Sequence, residues 1–486
     1  MAIAKRLGAL EPLFITFSAA APVVHELGFA VEYIASYDRP GAGNDLSWTR
    51  RARARLARAV VEIDPAVVVF DGTHPYERLL PALRSTGAPL VWCRRAMWRS
   101  DSDTAPLWRS HLFDAVLEPG EWAAQADAGP TVARRSEANV VDPIVLLDRQ
   151  ELLSRADAER ELGLEPGRQN ALMQLGQGEG VREASRRCLR HLAGRDDVQV
   201  VALASTLSAF DAPPEGVVPL RATYPISRYL AAFDLAVAAS GYNAYHELIQ
   251  LGPPALFVPM PRQTDDQVAR ALYAQERGVG VACLGPEDSS LEGKLDGLLD
   301  PARRAEMRER LAESRGANGA ADAARWLEGL AVGDRPGAAD GGGPQPAASS
   351  SARRAWIFAS SVPRTLARIG RQVLTRPRPR TLVLALRLGG DALAGELRTT
   401  LDETGERPER MLVVTDSLDF APLLGTGVGF EHLPAEGSHQ AELAGVPYPE
   451  FRLARLRAIL AGRPRPRRVV ALGEVPADLP EAARRR

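Results

Sequence analysis

Short apolar runs alternate with longer amphipathic segments over the first 330 residues of the chain. Within residues 1–145 the apolar runs predict strands, and the periodic segments predict helices. The predicted strands are 12–17, 31–34, 66–71 and 89–92, and the predicted helices are 20–27, 49–63 and 76–85. Strands that alternate with helices in this way are typical of a parallel sheet covered by helices on both faces. The pattern therefore predicts an α/β fold.

The same alternation starts again after a helix-forming stretch at 146–168. A strand at 170–175 leads into the glycine-rich loop 176–180, and a helix at 181–192 and a strand at 198–204 follow. We therefore predict two Rossmann-like lobes, at 1–145 and 146–330, that face each other across a cleft.

Residues 331–351 are rich in glycine, proline, alanine and serine, which predicts a flexible linker. The segment 352–486 beyond it predicts strands at 381–388, 411–415, 429–433 and 468–472. Its stretch 415–432 parallels residues 16–33, because Thr, Ser, Ala-Pro and a strand-end Glu recur in the same order. The segment is either a partial repeat of the first lobe or a second βαβ unit that is similar only in a generic way.

Two polar clusters between residues 234 and 280 carry the most specific chemistry. Ser240-Gly241 directly follows an apolar strand at 235–239, and Asp266-Gln267 opens a helix after a second strand that ends at Pro259. Ligands of open α/β sheets bind beyond the carboxyl ends of the strands. Small residues there let backbone N–H groups approach an anion, and Glu247 can accept hydrogen bonds from sugar hydroxyls. This arrangement predicts recognition of a nucleotide diphosphate and its sugar.

These residues, with the run Gly252 to Pro259 and Ala271, resemble the C-terminal lobe of GT-B glycosyltransferases. The resemblance is to glycosyltransferase family 28 and its peptidoglycan N-acetylglucosaminyltransferase branch. It implies that Ser240-Gly241 lies against the donor diphosphate, that Glu247 holds the donor ribose and that Gln267 contacts the donor sugar. Asp266, with Tyr242 and Asn243 at the start of the helix that carries Glu247, joins this donor group.

The loop that contains Gly176 and Gly178 follows a strand and opens a helix, so it can cradle phosphate or serve as a plain turn. A first strand and a Gly/His-rich loop, which the resemblance implies at the start of the first lobe, are not found in the N-terminal residues. Either the sequence starts too late to include them or the protein lacks them, and a true loss would leave a sheet edge unpaired and weaken catalysis.

Asp71 and His74 follow the apolar strand 66–70 and fall at the cleft edge of the first lobe. An inverting transferase needs a base that deprotonates the acceptor hydroxyl, and either residue can serve when it is partly desolvated. The alternatives are that Asp71 caps the next helix and that His74 is an exposed loop residue.

Arg95 and Trp98 leave the strand 89–92 at the same edge. An arginine can hold phosphate or an anionic acceptor, and a tryptophan can stack on a sugar, although a solvated loop with one buried tryptophan is the alternative. No metal ligand set is evident. Asp101-Ser102-Asp103 looks like a DxD element but follows no suitable strand, so we interpret it as a helix-capping loop. We expect no cofactor besides the nucleotide-sugar substrate.

Composition excludes several classes of protein. The 486 residues are 45% hydrophobic and 25% charged, with a formal net charge of −1, which argues against general disorder and against nucleic-acid binding. Three separated cysteines fit a reducing cytoplasm, and no apolar run reaches the length of a membrane span. The arginine-rich segment 353–380 predicts either a helix that lies on an anionic membrane surface or one that packs internally.

The sequence therefore predicts a GT-B glycosyltransferase with a third, partial α/β segment. It would move a sugar from a UDP-sugar donor to an envelope glycan or lipid-linked acceptor, in the cytoplasm or at the inner face of the membrane. The alternatives are a nucleotide-sugar hydrolase on the same scaffold and a degenerate, non-catalytic nucleotide-sugar-binding protein.

Overall fold

The computed structural model describes residues 1–484 except for 41–44, 176–178, 204–214, 221–223, 286–287, 334–378 and residue 462. The first lobe region holds strands β1 (Leu13–Thr16), β2 (Ala30–Tyr33), β3 (Val68–Asp71), β4 (Leu90–Cys93), β5 (Ala115–Pro119) and β6 (Ala138–Val141). Its α-helices are α1 (Ala21–Glu26), α2 (Asp45–Ile63) and α3 (Leu80–Leu83). Short 3₁₀ helices lie at Ala4–Arg6, Ala105–Leu112, Ala124–Ala126, Val132–Glu137 and Arg149–Glu151.

The second region contains β7 (Gln169–Gln174), β8 (Val198–Leu203), β9 (Val217–Leu220), β10 (Leu235–Ala238), β11 (Ala255–Phe257) and β12 (Gly280–Ala282). Its helices are α4 (Arg155–Leu162), α5 (Glu179–Ala193), α6 (Tyr242–Leu251), α7 (Gln267–Glu276), α8 (Leu291–Leu299), α9 (Pro301–Ser314) and α10 (Ala320–Val332), with a 3₁₀ helix at Ile226–Ala232. These strands form one parallel sheet in the order β12-β11-β10-β7-β8-β9. The order is that of a Rossmann sheet, whose topological switch point falls between β7 and β10.

The apolar character of the strands explains this sheet. β10 and β11 are buried along their whole length, as a strand covered by helices on both faces must be. Their side chains join those of α5 and α8 in a single core that includes Leu189, Leu235 and Leu295. The predicted α/β class with a Rossmann-like lobe is confirmed.

The first lobe region contains two parallel sheets, β1-β2 and β3-β4-β5-β6. Helix α2 forms because apolar residues recur at helical spacing, and Trp48, Ala52 and Leu56 are buried on one face. The predicted helix at 76–85 is reduced to the single turn α3, while β5 and β6 were not predicted.

The third segment holds β13 (Thr381–Leu386), β14 (Met411–Thr415), β15 (Gly429–His432) and β16 (Arg468–Gly473) in one parallel sheet of order β15-β14-β13-β16. Its helices are α11 (Gly390–Thr404), α12 (His439–Leu443), α13 (Tyr448–Leu460) and α14 (Asp478–Arg484), with a 3₁₀ helix at Pro408–Arg410. Leu384, Val414, Leu456 and Leu479 are among the residues of its core.

The contacts group the chain into two compact units. One contains Met1–Ala9, Val69–Pro75 and Leu90–Gly329, and the other contains Leu10–Val68, Tyr76–Pro89 and Leu330–Arg486. The segment 1–145, which we predicted as one lobe, is therefore shared between the two units. No helix among the described residues is both long and apolar enough to cross a bilayer.

Candidate functional site

The candidate site lies at the carboxyl edge of the Rossmann sheet, where β10 ends and the Ser240-Gly241 turn begins. Gly241 is the N-cap of α6, and no side chain caps that helix. The first N–H groups of a helix have no partner inside it, and the helix dipole makes them attractive to an anion. Gly176 and Gly178, which belong to the loop after the neighbouring strand β7 and were predicted to bind the donor, lie outside the described residues.

Gln267 ties the Ser240-Gly241 turn to the start of α7. The Ser240 hydroxyl donates to the Gln267 carbonyl oxygen over 2.8 Å. The Gln267 side-chain oxygen accepts from the Met260 N–H over 2.9 Å, and its nitrogen donates to Asp265 over 3.0 Å. The amide is buried and carries one further N–H, so its predicted contact with the donor sugar stays a prediction.

Asp266 opens α7, as predicted. Its carboxylate accepts from the Ala269 N–H over 3.0 Å, which makes Asp266 the N-cap of that helix. The carboxylate therefore fixes the start of α7, and the predicted donor-binding role of Asp266 stays a prediction.

Glu247 lies one and a half turns into α6 and is partly exposed. Burial of its carboxyl group raises the pKa of Glu247 to about 7. Burial raises the pKa of the half-exposed Tyr224 to about 12, with a further contribution from the charge of Glu247. Tyr224 therefore lies close to Glu247, a neighbour that the sequence analysis did not identify.

Tyr242 and Asn243, at the start of α6, meet Arg95 from the loop after β4. The Arg95 guanidinium carbon lies 4.1 Å from the centre of the Tyr242 ring, in cation–π geometry. Its Nη1 lies 3.5 Å from the Asn243 side-chain oxygen. The Tyr242 hydroxyl accepts from the Ile144 N–H and donates to the Gly120 carbonyl, both over 3.0 Å. The structure thus brings a cation to the uncapped start of α6.

Trp98 is buried, and its indole N–H donates to the Arg95 carbonyl over 3.0 Å. Its backbone forms a bridge with Asp265. The sugar-stacking role predicted for Trp98 is not available in this conformation, because the packed ring leaves only 1% of the residue exposed.

His74 is exposed and contacts the edge of the Trp98 ring at a centroid distance of 5.7 Å. Its Nε2 lies 3.2 Å from the Thr264 hydroxyl. Partial desolvation of the ring lowers the pKa of His74, and the nearby Arg109 charge adds to the shift. The imidazole is therefore neutral at pH 7 and able to accept a proton. Asp71 ends β3, and its charge acts on Arg95.

A fully buried ion pair, not anticipated from the sequence, supports this loop system. Arg270 on α7 donates to both carboxylate oxygens of Glu121, over 3.0 and 2.6 Å. Burial would raise the pKa of Glu121, but Arg270 and His246 outweigh it and lower that pKa to about 2. Glu121 follows β5, which the sequence analysis missed, so no signal placed it near α7.

His246 is fully buried in the core. Its Nε2 accepts from the Trp122 N–H over 3.1 Å, so its Nδ1 carries the proton and donates to the Tyr242 carbonyl over 2.8 Å. Asp103 of the DxD-like stretch accepts from the Ala105 N–H over 2.9 Å just before a 3₁₀ helix. The N-cap residue of that helix is Thr104 and the helix has no side-chain cap, so the interpretation of the stretch as a helix-capping loop stays a prediction. Among the described residues, no group of three or more His, Cys, Asp and Glu side chains is suited to hold a metal.

No family model matches the chain. Two curated relatives carry the same name. A UDP-N-acetylglucosamine–N-acetylmuramyl-(pentapeptide) pyrophosphoryl-undecaprenol N-acetylglucosamine transferase of Mycobacterium bovis (strain BCG / Pasteur 1173P2) is 29% identical over 346 residues, which cover 63% of this chain and 79% of the relative. The protein of the same name from Nocardioides sp. (strain ATCC BAA-499 / JS614) is 28% identical over 278 residues, 53% of this chain and 72% of the relative.

Solved structures show similarities as well. The crystal structure of Acinetobacter baumannii MurG matches 65% of this chain and 99% of its own, with a TM-score of 0.41 and 15% identity. Os79 from O. sativa in complex with UDP matches 68% of this chain and 96% of its own, with a TM-score of 0.49 and 12% identity. The curated relatives confirm the resemblance to GT-B glycosyltransferases and to the peptidoglycan N-acetylglucosaminyltransferase branch.

Proposed function

We propose that the chain is a glycosyltransferase that takes a sugar from a UDP-sugar donor, of which UDP-N-acetylglucosamine is the first candidate, and transfers it to a lipid-linked envelope glycan. The observation that carries the proposal is the uncapped N-terminus of α6 at the switch point of a Rossmann sheet, with Glu247 on the same helix. The names of the curated relatives support both the donor and the acceptor.

The donor diphosphate would bind at the start of α6. The free N–H groups of that turn and the Arg95 guanidinium next to Asn243 provide hydrogen-bond donors and positive charge. Such groups stabilise the negative charge that develops on a leaving diphosphate. In this proposal Ser240 contributes through the turn that its hydroxyl fixes, because that hydroxyl already donates to Gln267.

Glu247 would accept hydrogen bonds from the donor ribose. Its raised pKa of about 7 means that the carboxylate, the form that accepts hydrogen bonds at both oxygens, predominates only above neutral pH. A bound ribose that donates to the carboxylate stabilises the charged form and so lowers the pKa again.

The acceptor would be activated by His74. Its neutral imidazole, held near Thr264 and Trp98, can take the proton of an attacking hydroxyl. Asp71 is the alternative base, and the position of its carboxylate at the end of β3 suits either that role or an interaction with Arg95.

Calorimetric titration with UDP and UDP-N-acetylglucosamine tests the donor site. Replacing Glu247 with Ala removes the acceptor of charge-assisted hydrogen bonds, each worth about 1.5–3 kcal/mol, so affinity should fall roughly ten- to a hundredfold. The matched control is Glu309→Ala, which removes an exposed glutamate from α9 and should leave affinity unchanged. Equal affinity of the Glu247→Ala variant and the wild type would refute the assignment.

Product analysis separates the alternative functions. Incubation with UDP-N-acetylglucosamine and a lipid-diphosphate-linked acceptor should release UDP only when acceptor is present. Release of free sugar without acceptor would instead support the hydrolase. Tight nucleotide binding with neither product would support the non-catalytic binding protein.

A further inference from the structure

Two separated parts of the chain each contain two parallel strands that are followed by a helix with a buried arginine, although only the first part has a helix between its strands. In the first part, β1 is followed by α1, β2 and α2; in the second, β14 is followed by β15 and, after the short α12, by α13. β1 pairs with β2 in parallel, and β14 pairs with β15 in parallel. The structure therefore matches the two stretches, 16–33 and 415–432, that are parallel in sequence, and their strand-end glutamates Glu32 and Glu431 occupy matching positions.

The helices that follow each carry a buried arginine at a matching distance. Arg55 on α2 follows Glu32 by 23 positions, and Arg455 on α13 follows Glu431 by 24 positions. Both arginines are only 1% exposed. A buried arginine requires a charged or hydrogen-bonding partner, so its presence at both positions marks a shared interface.

The two arginines form ion pairs crosswise between the two parts. Arg55 Nη1 lies 2.8 Å from the Glu431 carboxylate, and Arg455 Nη2 lies 3.3 Å from the Glu32 carboxylate. In an interface with two-fold symmetry, residue i contacts residue j and the second copy of j contacts the second copy of i. The crosswise pairs follow this rule: the arginine of each part pairs with the glutamate of the other part.

Further contacts close the same interface. The Tyr33 ring stacks on Phe430 at a centroid distance of 5.5 Å and also touches Phe420 at 4.9 Å. The Ala35 N–H donates to Glu431 over 3.2 Å, and Arg455 also pairs with Glu62 over 2.8 Å. Apolar rings and paired charges thus cover the edges of β2 and β15 together.

We propose that residues 381–484 contain a second copy of the strand pair and helix formed by β1, β2 and α2, docked on the first copy by a pseudo-two-fold interface within one chain. The interface is the fused form of a contact between two identical lobes. The third segment is then a dedicated partner for residues 10–63, because the described part of the segment contains no equivalent of the six-stranded donor sheet.

The two copies also differ in a way that fits this role. β14 pairs with β13 on one side and β15 on the other and is fully buried, whereas β1 pairs with β2 alone in its described sheet and is only half-buried. The second copy is thus the more complete of the two. A fully paired second copy can support the first through the shared interface.

A cleavage experiment on the full chain tests the proposal. A protease recognition site is inserted after Ser350, the purified protein is cleaved, and size-exclusion chromatography with native mass spectrometry follows. We expect the two fragments to co-elute as a complex with one copy of each. Separation of the wild-type fragments, or a complex with two copies of each fragment, would overturn the intramolecular pairing.

Variants then test whether the crosswise ion pairs hold the interface. Arg55→Met and Glu431→Gln each remove one ion-pair partner of a buried charge across the interface, so the cleaved fragments should dissociate at least tenfold more readily. The control is Arg387→Met, which removes an exposed arginine paired with Glu474 and Glu436 and should not change co-elution. If the cleaved Arg55→Met and Glu431→Gln proteins stay as tightly associated as the wild type, the pseudo-two-fold charge pairing is wrong. If a variant does not fold, the wild-type cleavage result still decides the proposal.

Discussion

Two of the buried arginine–glutamate clusters of the described residues lie in different settings. Arg270 and Glu121 connect α7 with the loop after β5, next to the Ser240-Gly241 turn of the candidate site. Arg55 and Glu431 connect two segments that are far apart in sequence, in the other compact unit. The same interaction therefore fixes loops in one unit and joins segments in the other. Loss of the first should affect ligand binding, and loss of the second should affect stability alone.

The largest expected effect comes from Arg55→Met. This change leaves Glu32 and Glu431 buried without Arg55, and breaking a buried ion pair on one side costs about 3–5 kcal/mol. Urea unfolding should show this loss, while the affinity of the folded protein for UDP stays at the wild-type value. If Arg55→Met weakened UDP binding and left stability unchanged, the role assigned to the Arg55–Glu431 cluster would be wrong.

Arg270→Met should lower stability by a similar amount, about 3–5 kcal/mol, and should also weaken UDP binding. Glu121 would be left in the core, and the Ser240 carbonyl would lose its contact with Arg270. Arg270→Lys keeps the charge but not the two-pronged geometry, so it should recover part of the stability and less of the affinity. If Arg270→Met binds UDP as tightly as the wild type, the Arg270–Glu121 cluster does not support the donor site.

Acid should destabilise the unit that contains His432 before it affects the Arg270 cluster. Burial lowers the pKa of His432 to about 4, below its unfolded value of about 6.5, so the unfolded state takes up a proton first. Stability is therefore complete above pH 6.5 and falls as the pH drops from 6.5 to 4, by about 3 kcal/mol. Denaturant titrations at pH 7.5, 5.5 and 4.5 measure the loss. His432→Gln should flatten the dependence, and an unchanged slope in that variant would assign the effect to other groups.

Ser240→Ala should have a moderate effect of about 1 kcal/mol on stability. It removes the 2.8 Å hydrogen bond that locks the turn to the Gln267 carbonyl at a fully buried position. Because the turn loosens, UDP affinity should fall about fivefold in calorimetry. A larger loss, of a hundredfold, would indicate that the hydroxyl contacts the nucleotide directly.

The smallest effect is expected for Arg387→Met. The arginine is 61% exposed, and exposed ion pairs contribute about 0–1 kcal/mol. The Tm of the variant should differ from that of the wild type by less than about 5 °C, and its affinity for UDP should be unchanged. This variant sets the scale against which the buried clusters are compared.

Much of the fold could be predicted from the sequence, because the buried strands are short apolar runs. β10, β13 and β14 were predicted within three residues of their observed ends, and Asp266 was placed at the start of α7. β5 and β6 were missed because they include charged or polar residues, such as Glu118 and Asn139, that interrupt the apolar pattern.

The candidate site could be predicted only in part. Spacing in the sequence brought Ser240, Gly241 and Glu247 together, because they lie on one strand-to-helix connection. It could not reveal that Arg270 pairs with a glutamate 149 positions away, or that Arg95 stacks on Tyr242. Such pairs depend on how loops from different strands meet, and local pattern contains no information on that.

The fused interface has a consequence for how its two sides evolve. In a dimer of identical subunits, one substitution is displayed on both faces of the contact at once. Within a single polypeptide, each face can mutate alone while the other keeps the fit. Tyr33 and His432, which follow the matched glutamates, already differ, although both are buried beside Phe420.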